Sequence, residues 1–266
     1  MFWHTMSRFL LYVDNESEFL IRVLSWLMML EGGCLFLLSY FYKIPYGRYV
    51  TDDYSFRVNV KVAWFFQEIP SLAIPLYLVF RASNRPLLLP NQLLLGMFIC
   101  HYSQRSLLFP VLIRGGKSTP LTTFASAIVF CIVNGYLQGM NLVKHAVYTS
   151  DWITDPRFLT GSAVWFLGLL VNLHSDHILR NLRKPGETGY KIPRGGLFEY
   201  VTAANFFGET VEWIGFAIAC WSLPSAAFAL FTFFMLLARG RHHHRWYLEK
   251  FEDYPKTRKI LIPSIY

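Results

Sequence analysis

Apolar residues run along this chain in long blocks separated by short polar, mostly basic connections. Seven blocks approach the length of a membrane-crossing helix, which needs about 20 mainly apolar residues. They predict helical spans over Phe19–Tyr42, Val60–Phe80, Leu87–Ile113, Leu121–Val147, Phe158–Ile178, Tyr200–Trp221 and Pro224–Ala238. The last is short, and Glu209 and Glu212 interrupt the sixth. No internal repeat, low-complexity tract or polar linker divides the blocks. The expected architecture is therefore an all-α polytopic membrane protein forming one domain over residues 1–266, with spans across about 19–238 and a tail over 239–266.

Composition supports this. The 266 residues are 54% apolar and 18% aromatic but only 16% charged, against roughly 45–50% apolar and about 25% charged in an ordinary globular domain. A disordered chain is excluded by so much aromatic surface, and a disulfide scaffold by the sparse cysteines. Cys34, Cys100, Cys131 and Cys220 each lie in an apolar stretch and read as small core hydrophobes. No cleavable signal is evident, because Phe2–Val13 is short and no small-residue cleavage site follows the next apolar stretch.

The net charge of +8 is unevenly placed. One set of alternate loops holds Lys43, Arg48, Arg57, Lys61, Arg114, Lys117, Arg180, Arg183, Lys184, Lys191 and Arg194, and the tail adds Arg239, Arg241, Arg245, Lys250, Lys256, Arg258 and Lys259. The other face has little beyond Arg8, Arg81, Arg85 and Arg157, with Asp151 and Asp155. Basic loops stay on the cytosolic side, so the C-terminus is expected there and the N-terminus opposite. The membrane would be the endoplasmic reticulum in a eukaryote or the inner membrane in a bacterium. Such a pattern sets topology or binds phosphate-bearing ligands, and indicates neither nucleic acid nor an obligate protein partner.

Ionisable groups at membrane depth are costly, and each marks a candidate site. Gln67-Glu68 lies within Trp64-Phe65-Phe66-Gln67-Glu68-Ile69-Pro70. A carboxyl among aromatic rings favours its neutral, hydrogen-bond-donating form, and Pro70 frees a backbone carbonyl one turn back. A structural glutamate bonded to a neighbouring helix is the equal alternative. In His101-Tyr102-Ser103-Gln104-Arg105, Tyr102 and Arg105 share a helix face. The guanidinium would make Tyr102 a better donor; an interfacial tyrosine with a snorkelling arginine is the alternative.

Asn172, Asp176 and Arg180 recur every four residues as a polar stripe. Arg183, Lys184, Lys191 and Arg194 around Pro185 and Gly186 would attract a nucleotide phosphate, although topology alone explains such a cluster. Two other motifs carry less. Gly115-Gly116-Lys117-Ser118 ends like a P-loop, but Val111 occupies the earlier glycine position and no strand precedes it. His242-His243-His244 cannot converge on one metal ion, since consecutive helical residues point about 100° apart. No GxGxxG motif is present, so a dinucleotide would bind without a Rossmann unit.

Several longer motifs, in order, resemble the steroid 5α-reductase (3-oxo-5α-steroid 4-dehydrogenase) family. They are Lys184-Pro185-Gly186-Glu187, Ile192-Pro193-Arg194-Gly195-Gly196-Leu197-Phe198, Ala204-Asn205-Phe206-Phe207-Gly208-Glu209, Val211-Glu212-Trp213, His242-His243-His244-Arg245-Trp246-Tyr247-Leu248 and Phe251-Glu252-Asp253-Tyr254-Pro255-Lys256. Gln67-Glu68-Ile69-Pro70-Ser71 and His101-Tyr102 are similar too, and the likeness is dense after about Gly161 and thin before about Asn59. It implies an NADPH-dependent membrane reductase whose seven helices enclose cofactor and a 3-oxo-Δ4 steroid arriving from the bilayer.

The resemblance further implies that Glu68 and Tyr102 hold the ketone oxygen, with Gln67 beside the substrate. It makes Arg105, Arg114, Lys117, Asn172, Asp176, Arg183, Tyr190, Asn205, Glu209, Arg239, His243 and Tyr247 cofactor contacts. Arg114-Gly115-Gly116-Lys117 departs from the family's Arg-Gly-Arg run, and Gln104 stands where a close relative places His. Two rival readings remain: a membrane methyltransferase of similar bundle, dependent on S-adenosylmethionine, and a non-catalytic sterol-binding protein. Retention of NADP by the purified protein separates them.

Overall fold

The structure, a computed structural model, describes residues 2–51, 53–82, 86–184 and 186–266, with side chains from residue 16 onward. Arg85, Pro185 and the Arg8 side chain lie outside the described residues. The chain is mainly helical: α1 Phe2–Leu38, α2 Val60–Arg81, α3 Leu89–Ser103, α4 Phe109–Leu112, α5 Leu121–Met140, α6 Pro156–Arg180, α7 Ala204–Cys220 and α8 Leu223–Lys250. Among the described residues, five stretches are long and apolar enough to cross a membrane: Glu16–Leu38, Val60–Arg81, Leu121–His145, Pro156–Arg180 and Leu223–Lys250. These bear out the expected all-α polytopic architecture. The third and sixth of the seven expected spans are not among these five, because α3 stops at a wide turn and α7 has only 17 residues.

Local chemistry explains several boundaries. The Asn59 side chain accepts from Lys61 N at 3.0 Å and starts α2. Asp155 does the same for Arg157 N at 2.8 Å ahead of Pro156, where a missing N–H costs nothing. Pro110 cannot donate to the turn before it, and α3 reaches α4 through a π turn over Gln104–Leu108. Along this segment His101, Tyr102, Arg105 and Ser106 are all buried.

Glycines set the closest helix contacts. A Cβ on Gly168 would stand 2.2 Å from Glu212 N, and one on Gly208 2.4 Å from Asn172 N. Only glycine lets α6 and α7 approach this closely, which brings their polar residues face to face. A Cβ added to Gly135 of α5 would likewise stand 2.9 Å from the Pro70 carbonyl oxygen of α2. Phe98, Trp213, Phe216 and Phe228 then pack between α3, α7 and α8 as the aromatic centre of the bundle.

The loops that the sequence groups by charge share one end. Arg57–Val58 pairs antiparallel with Thr119–Pro120, Arg48 Nη2 donates to Tyr247 OH at 3.4 Å, and Arg114 Nη1 to Asn181 Oδ1 at 2.9 Å. At the other end Tyr148 OH donates to the Cys220 carbonyl, and Arg157 lies over Trp152 and Trp221.

Three expectations need correction. The first helix begins at Phe2 and ends at Leu38, before Tyr42. The expected tail from 239 is helical as far as Lys250, because its polar groups find partners on neighbouring loops: Arg241 and His242 both bond the Ser39 carbonyl, at 2.8 Å each. Cys34 and Cys100 are exposed on the outer surface, so only Cys131 and Cys220 are buried as core residues.

Candidate active site

A cavity of about 720 Å³ runs inside the bundle toward the basic end. Its apolar walls include Leu35, Trp64, Phe109, Phe130, Phe228, Phe231, Met235 and Leu236, while polar groups concentrate in two places. Gln67 and Glu68 from α2 and Tyr102 from α3 share the deeper wall with Cys131 of α5. Gln67 Nε2 donates to Glu68 Oε1 at 3.1 Å, and Cys131 Sγ lies 3.7 Å from Glu68 Oε2. The Tyr102 ring packs 4.7 Å from Phe98, and its hydroxyl accepts from Asn134 Nδ2 at 2.9 Å. Gln138 bonds Asn134 in turn at 3.3 Å and anchors to the Pro224 carbonyl at 2.9 Å. Asn134 thus takes one lone pair of the Tyr102 hydroxyl, and Ser71 is a second hydrogen-bonding neighbour of the phenol.

Arg105 does not partner Tyr102, contrary to the expectation from their spacing. Its guanidinium donates to Asp176 Oδ2 at 2.9 Å and Glu209 Oε2 at 2.5 Å and lies over the Trp64 and Phe109 rings. One fork thus clasps α3 to α6 and α7, as a planar guanidinium does better than an ammonium. Next to it, His101 Nδ1 and Glu212 Oε1 are 2.7 Å apart and fully buried. Glu209 and Glu212, which interrupt the sixth apolar block, are accommodated by these two partners, His101 on α3 and Arg105 in the π turn that follows it.

The second polar region is basic. Arg114, Lys117, Arg180, Arg183 and Arg239 line the cavity where it nears the loops, with Asp176, Asn205, Glu209 and His243 among them. Lys117 Nζ donates to the Val50 carbonyl at 3.0 Å. Arg183 Nη1 makes only a long contact, 3.4 Å, to the Gly189 carbonyl. Arg239 lies over the Tyr46 and Phe206 rings and has no carboxylate partner among the described residues. Gly115 and Gly116 take positive φ of 71° and 114°, which leaves their backbone bare along this wall. The polar stripe of α6 is real: Asn172 Nδ2 donates to the Asn205 carbonyl at 2.9 Å, Asn205 Nδ2 to Asp176 Oδ1 at 3.3 Å, and Arg180 faces the cavity.

Of the residues singled out from sequence, Gln67, Glu68, Tyr102, Arg105, Arg114, Lys117, Asp176, Arg183, Asn205, Glu209, Arg239 and His243 meet around this one space. Asn172, Tyr190 and Tyr247 do not line it. Asn172 is buried behind Asn205, whereas Tyr190 and Tyr247 sandwich Arg48 together with Trp246. The three consecutive histidines diverge to Ser39, Tyr49 and Thr202. Sequence reasoning missed Tyr46, whose phenol burial pushes up to about 12, keeping it a neutral donor at the cavity wall. It also missed Asn134, although an amide inside an apolar span carries the same signal as Glu68.

Arg48 Nη1 and Asn172 Oδ1 are buried with no partner among the described residues, but neither residue lines the cavity. The cations that do line it, with Arg239 unpaired by any carboxylate among the described residues, and the Gly115-Gly116 backbone fit an elongated polyanion, as a dinucleotide is.

Comparison with known proteins identifies the family. A family profile described as 3-oxo-5-alpha-steroid 4-dehydrogenase matches residues 117–266. A Bos taurus protein named 3-oxo-5-alpha-steroid 4-dehydrogenase 1 is 56% identical over 256 residues, 95% of this chain and 100% of that protein. The Homo sapiens protein of the same name is 53% identical over 94% of this chain and 97% of its own length. A Homo sapiens 3-oxo-5-alpha-steroid 4-dehydrogenase 2 is 49% identical over 79% and 82%. With a profile covering more than half of it and relatives this similar along nearly all of it, the chain belongs to the 3-oxo-5-alpha-steroid 4-dehydrogenase family.

Proposed function

We propose that this integral, multi-pass membrane protein is a steroid reductase that uses NADPH to reduce the 4,5 double bond of 3-oxo-Δ4 steroids to the 5α products. One observation carries the reading: a single aromatic-walled cavity holds Glu68 and Tyr102 on its deeper wall and the cations Arg114, Lys117, Arg180, Arg183 and Arg239 near the loops. The first place suits a ketone and the second the phosphates of a dinucleotide. The family, whose relatives are named for this steroid chemistry, supports the same conclusion.

In the reaction an enone gains hydride at its far alkene carbon and a proton at the carbon next to the ketone, so charge develops on the ketone oxygen. The nicotinamide cofactor, when bound, supplies the hydride. The protein's part is electrostatic. Tyr102, its lone pair taken by Asn134, donates its proton to that oxygen, and Glu68 as the neutral acid donates from the other side. Two fixed donors in a dry site stabilise the developing oxyanion, each worth roughly a hundred- to a thousand-fold in turnover. Trp64, Phe130, Phe228 and Phe231 supply flat apolar surface for the steroid rings and exclude water. Asp176, Asn205, Glu209 and His243 offer hydrogen bonds to the nucleotide's ribose and amide groups. We further place the basic end and the C-terminus in the cytosol, with the N-terminus opposite.

The test is purification in detergent, analysis for retained NADP, and assay with NADPH and a 3-oxo-Δ4 steroid. A 5α-reduced 3-oxo product is expected. Turnover that needs S-adenosylmethionine, or steroid binding without nucleotide or reduction, would replace this reading.

A further inference from the structure

After Arg22, which pairs with Glu18 at 2.7 Å, the rest of α1 holds one charged-type side chain, Glu31, within Met28-Met29-Leu30-Glu31-Gly32-Gly33. A carboxyl in an apolar helix at membrane depth is costly unless something uses it. Among the described residues it has no hydrogen-bond or ion-pair partner; it faces the rim of the cavity.

Its placement relative to Glu68 follows from a chain of contacts. Glu68 Oε2 is near Cys131 Sγ. The neighbouring Phe130 ring stacks on Phe231, centroids 4.3 Å apart and planes 20° apart. Phe231 in turn backs onto Gly32, where an added Cβ would meet its Cα at 2.9 Å. Glu31 is the next residue. Glu31 and Glu68 thus line one cavity and are linked through the Phe130–Phe231 stack, with Thr232 also lining it beside Phe231. Two carboxyls connected across a stacked aromatic pair suit a flat apolar molecule that carries more than one polar group.

We infer that Glu31 is a specificity-determining residue whose carboxylate side accepts a hydrogen bond from a hydroxyl at the end of the steroid remote from the enone. The inference rests on the proposed reduction, since it takes the enone end to be held by Glu68 and Tyr102. A site that hydrogen-bonds a hydroxyl discriminates against the analogue that lacks it, because its own polar group is then left unpaired. Glu31 is an exposed residue that lines the cavity, and the discrimination should be at most roughly ten- to a hundred-fold, the range of a hydrogen bond to a charged or strongly polar group.

The experiment compares two 3-oxo-Δ4 steroids that differ only in a hydroxyl on the five-membered ring. Dissociation constants are read from tryptophan fluorescence on NADPH-loaded protein, alongside KM and kcat, for the wild type, Glu31→Leu and Glu31→Gln. The wild type should bind the hydroxylated steroid about ten- to a hundred-fold more tightly. Glu31→Leu should bring the ratio close to one through weaker binding of the hydroxylated steroid, with the loss in Kd and KM rather than kcat. Glu31→Gln, whose amide oxygen still accepts, should keep part of the preference. An unchanged ratio in Glu31→Leu overturns the inference, as does an equal loss for both steroids in both variants, which marks a packing role. A wild type that reduces both steroids without discriminating between them sinks this inference alone. One that neither binds nor reduces them sinks the proposed reduction with it.

Discussion

Asn134 Nδ2 donates to the Tyr102 hydroxyl across 2.9 Å, from the middle of α5 to the end of α3. The bond occupies a lone pair of the phenol, so the role left to the hydroxyl is that of donor, and Tyr102 lines the cavity where a ketone would sit. Tyr102→Phe deletes the donor while keeping the ring against Phe98 and Trp213, and should lower single-turnover reduction roughly a hundred- to a thousand-fold. Asn134→Ala leaves the donor but frees its rotor, so a smaller fall in kcat is expected, with NADPH affinity retained. Equal activity in wild type and Tyr102→Phe would remove the tyrosine from the chemistry.

Arg105 is held by two carboxylates from different helices, and its loss has a different signature. Arg105→Ala strands the buried Asp176 and the partly buried Glu209, and breaking a buried ion pair from one side costs about 3–5 kcal/mol. Arg105→Lys can satisfy one carboxylate but cannot reproduce the fork. Thermal unfolding in detergent should therefore rank wild type above Lys, and Lys above Ala, before any activity is measured. Melting temperatures that do not differ would show the clasp to be dispensable for stability.

The order of these helices was legible from the apolar blocks, and Glu68 and Tyr102 were legible because polar groups at membrane depth stand out. Arg105 was misjudged for a physical reason. Spacing along one helix reports which residues share a face, but not which groups arrive from elsewhere, and two carboxylates from α6 and α7 outcompete a phenol for a guanidinium. The same limit hid the role of Glu209 and Glu212, which looked like interruptions until His101 and Arg105 were brought opposite them. Asn134 carries the same kind of signal, a polar group inside an apolar block, but its partner Tyr102 comes from another helix and only the fold brings the two together. The end of α8 was misplaced because hydropathy marks where the apolar environment stops, whereas backbone hydrogen bonding carries the helix on to Lys250.

Arg183 tests the nucleotide end. Its guanidinium lines the cavity and has only the 3.4 Å contact to the Gly189 carbonyl to lose. Arg183→Ala should weaken NADPH binding by about 1.5–3 kcal/mol, the worth of a charged hydrogen bond, with a smaller change in steroid affinity. Titration of the detergent-solubilised protein by NADPH fluorescence reads this directly. Unchanged NADPH affinity in a folded variant would return Arg183 to setting topology.

Glu68 separates chemistry from packing most sharply, because its surroundings allow two graded changes. It accepts from Gln67 and lies beside Cys131, so a carboxamide fits the same space. Glu68→Gln keeps a donor, though a weaker one, and should lose turnover while the protein stays folded and NADPH stays bound. Glu68→Ala should be worse on both counts, since it also opens a cavity and leaves Gln67 without its partner. A purely structural glutamate predicts the opposite: lower folding yield and melting temperature, with the surviving molecules turning over normally. Measuring melting temperature, NADPH binding and single-turnover reduction on both variants distinguishes the two. Normal turnover in Glu68→Gln, combined with normal turnover in Tyr102→Phe, would leave the ketone without either proposed donor and require another pair on the cavity wall, of which Tyr46 is the first to examine.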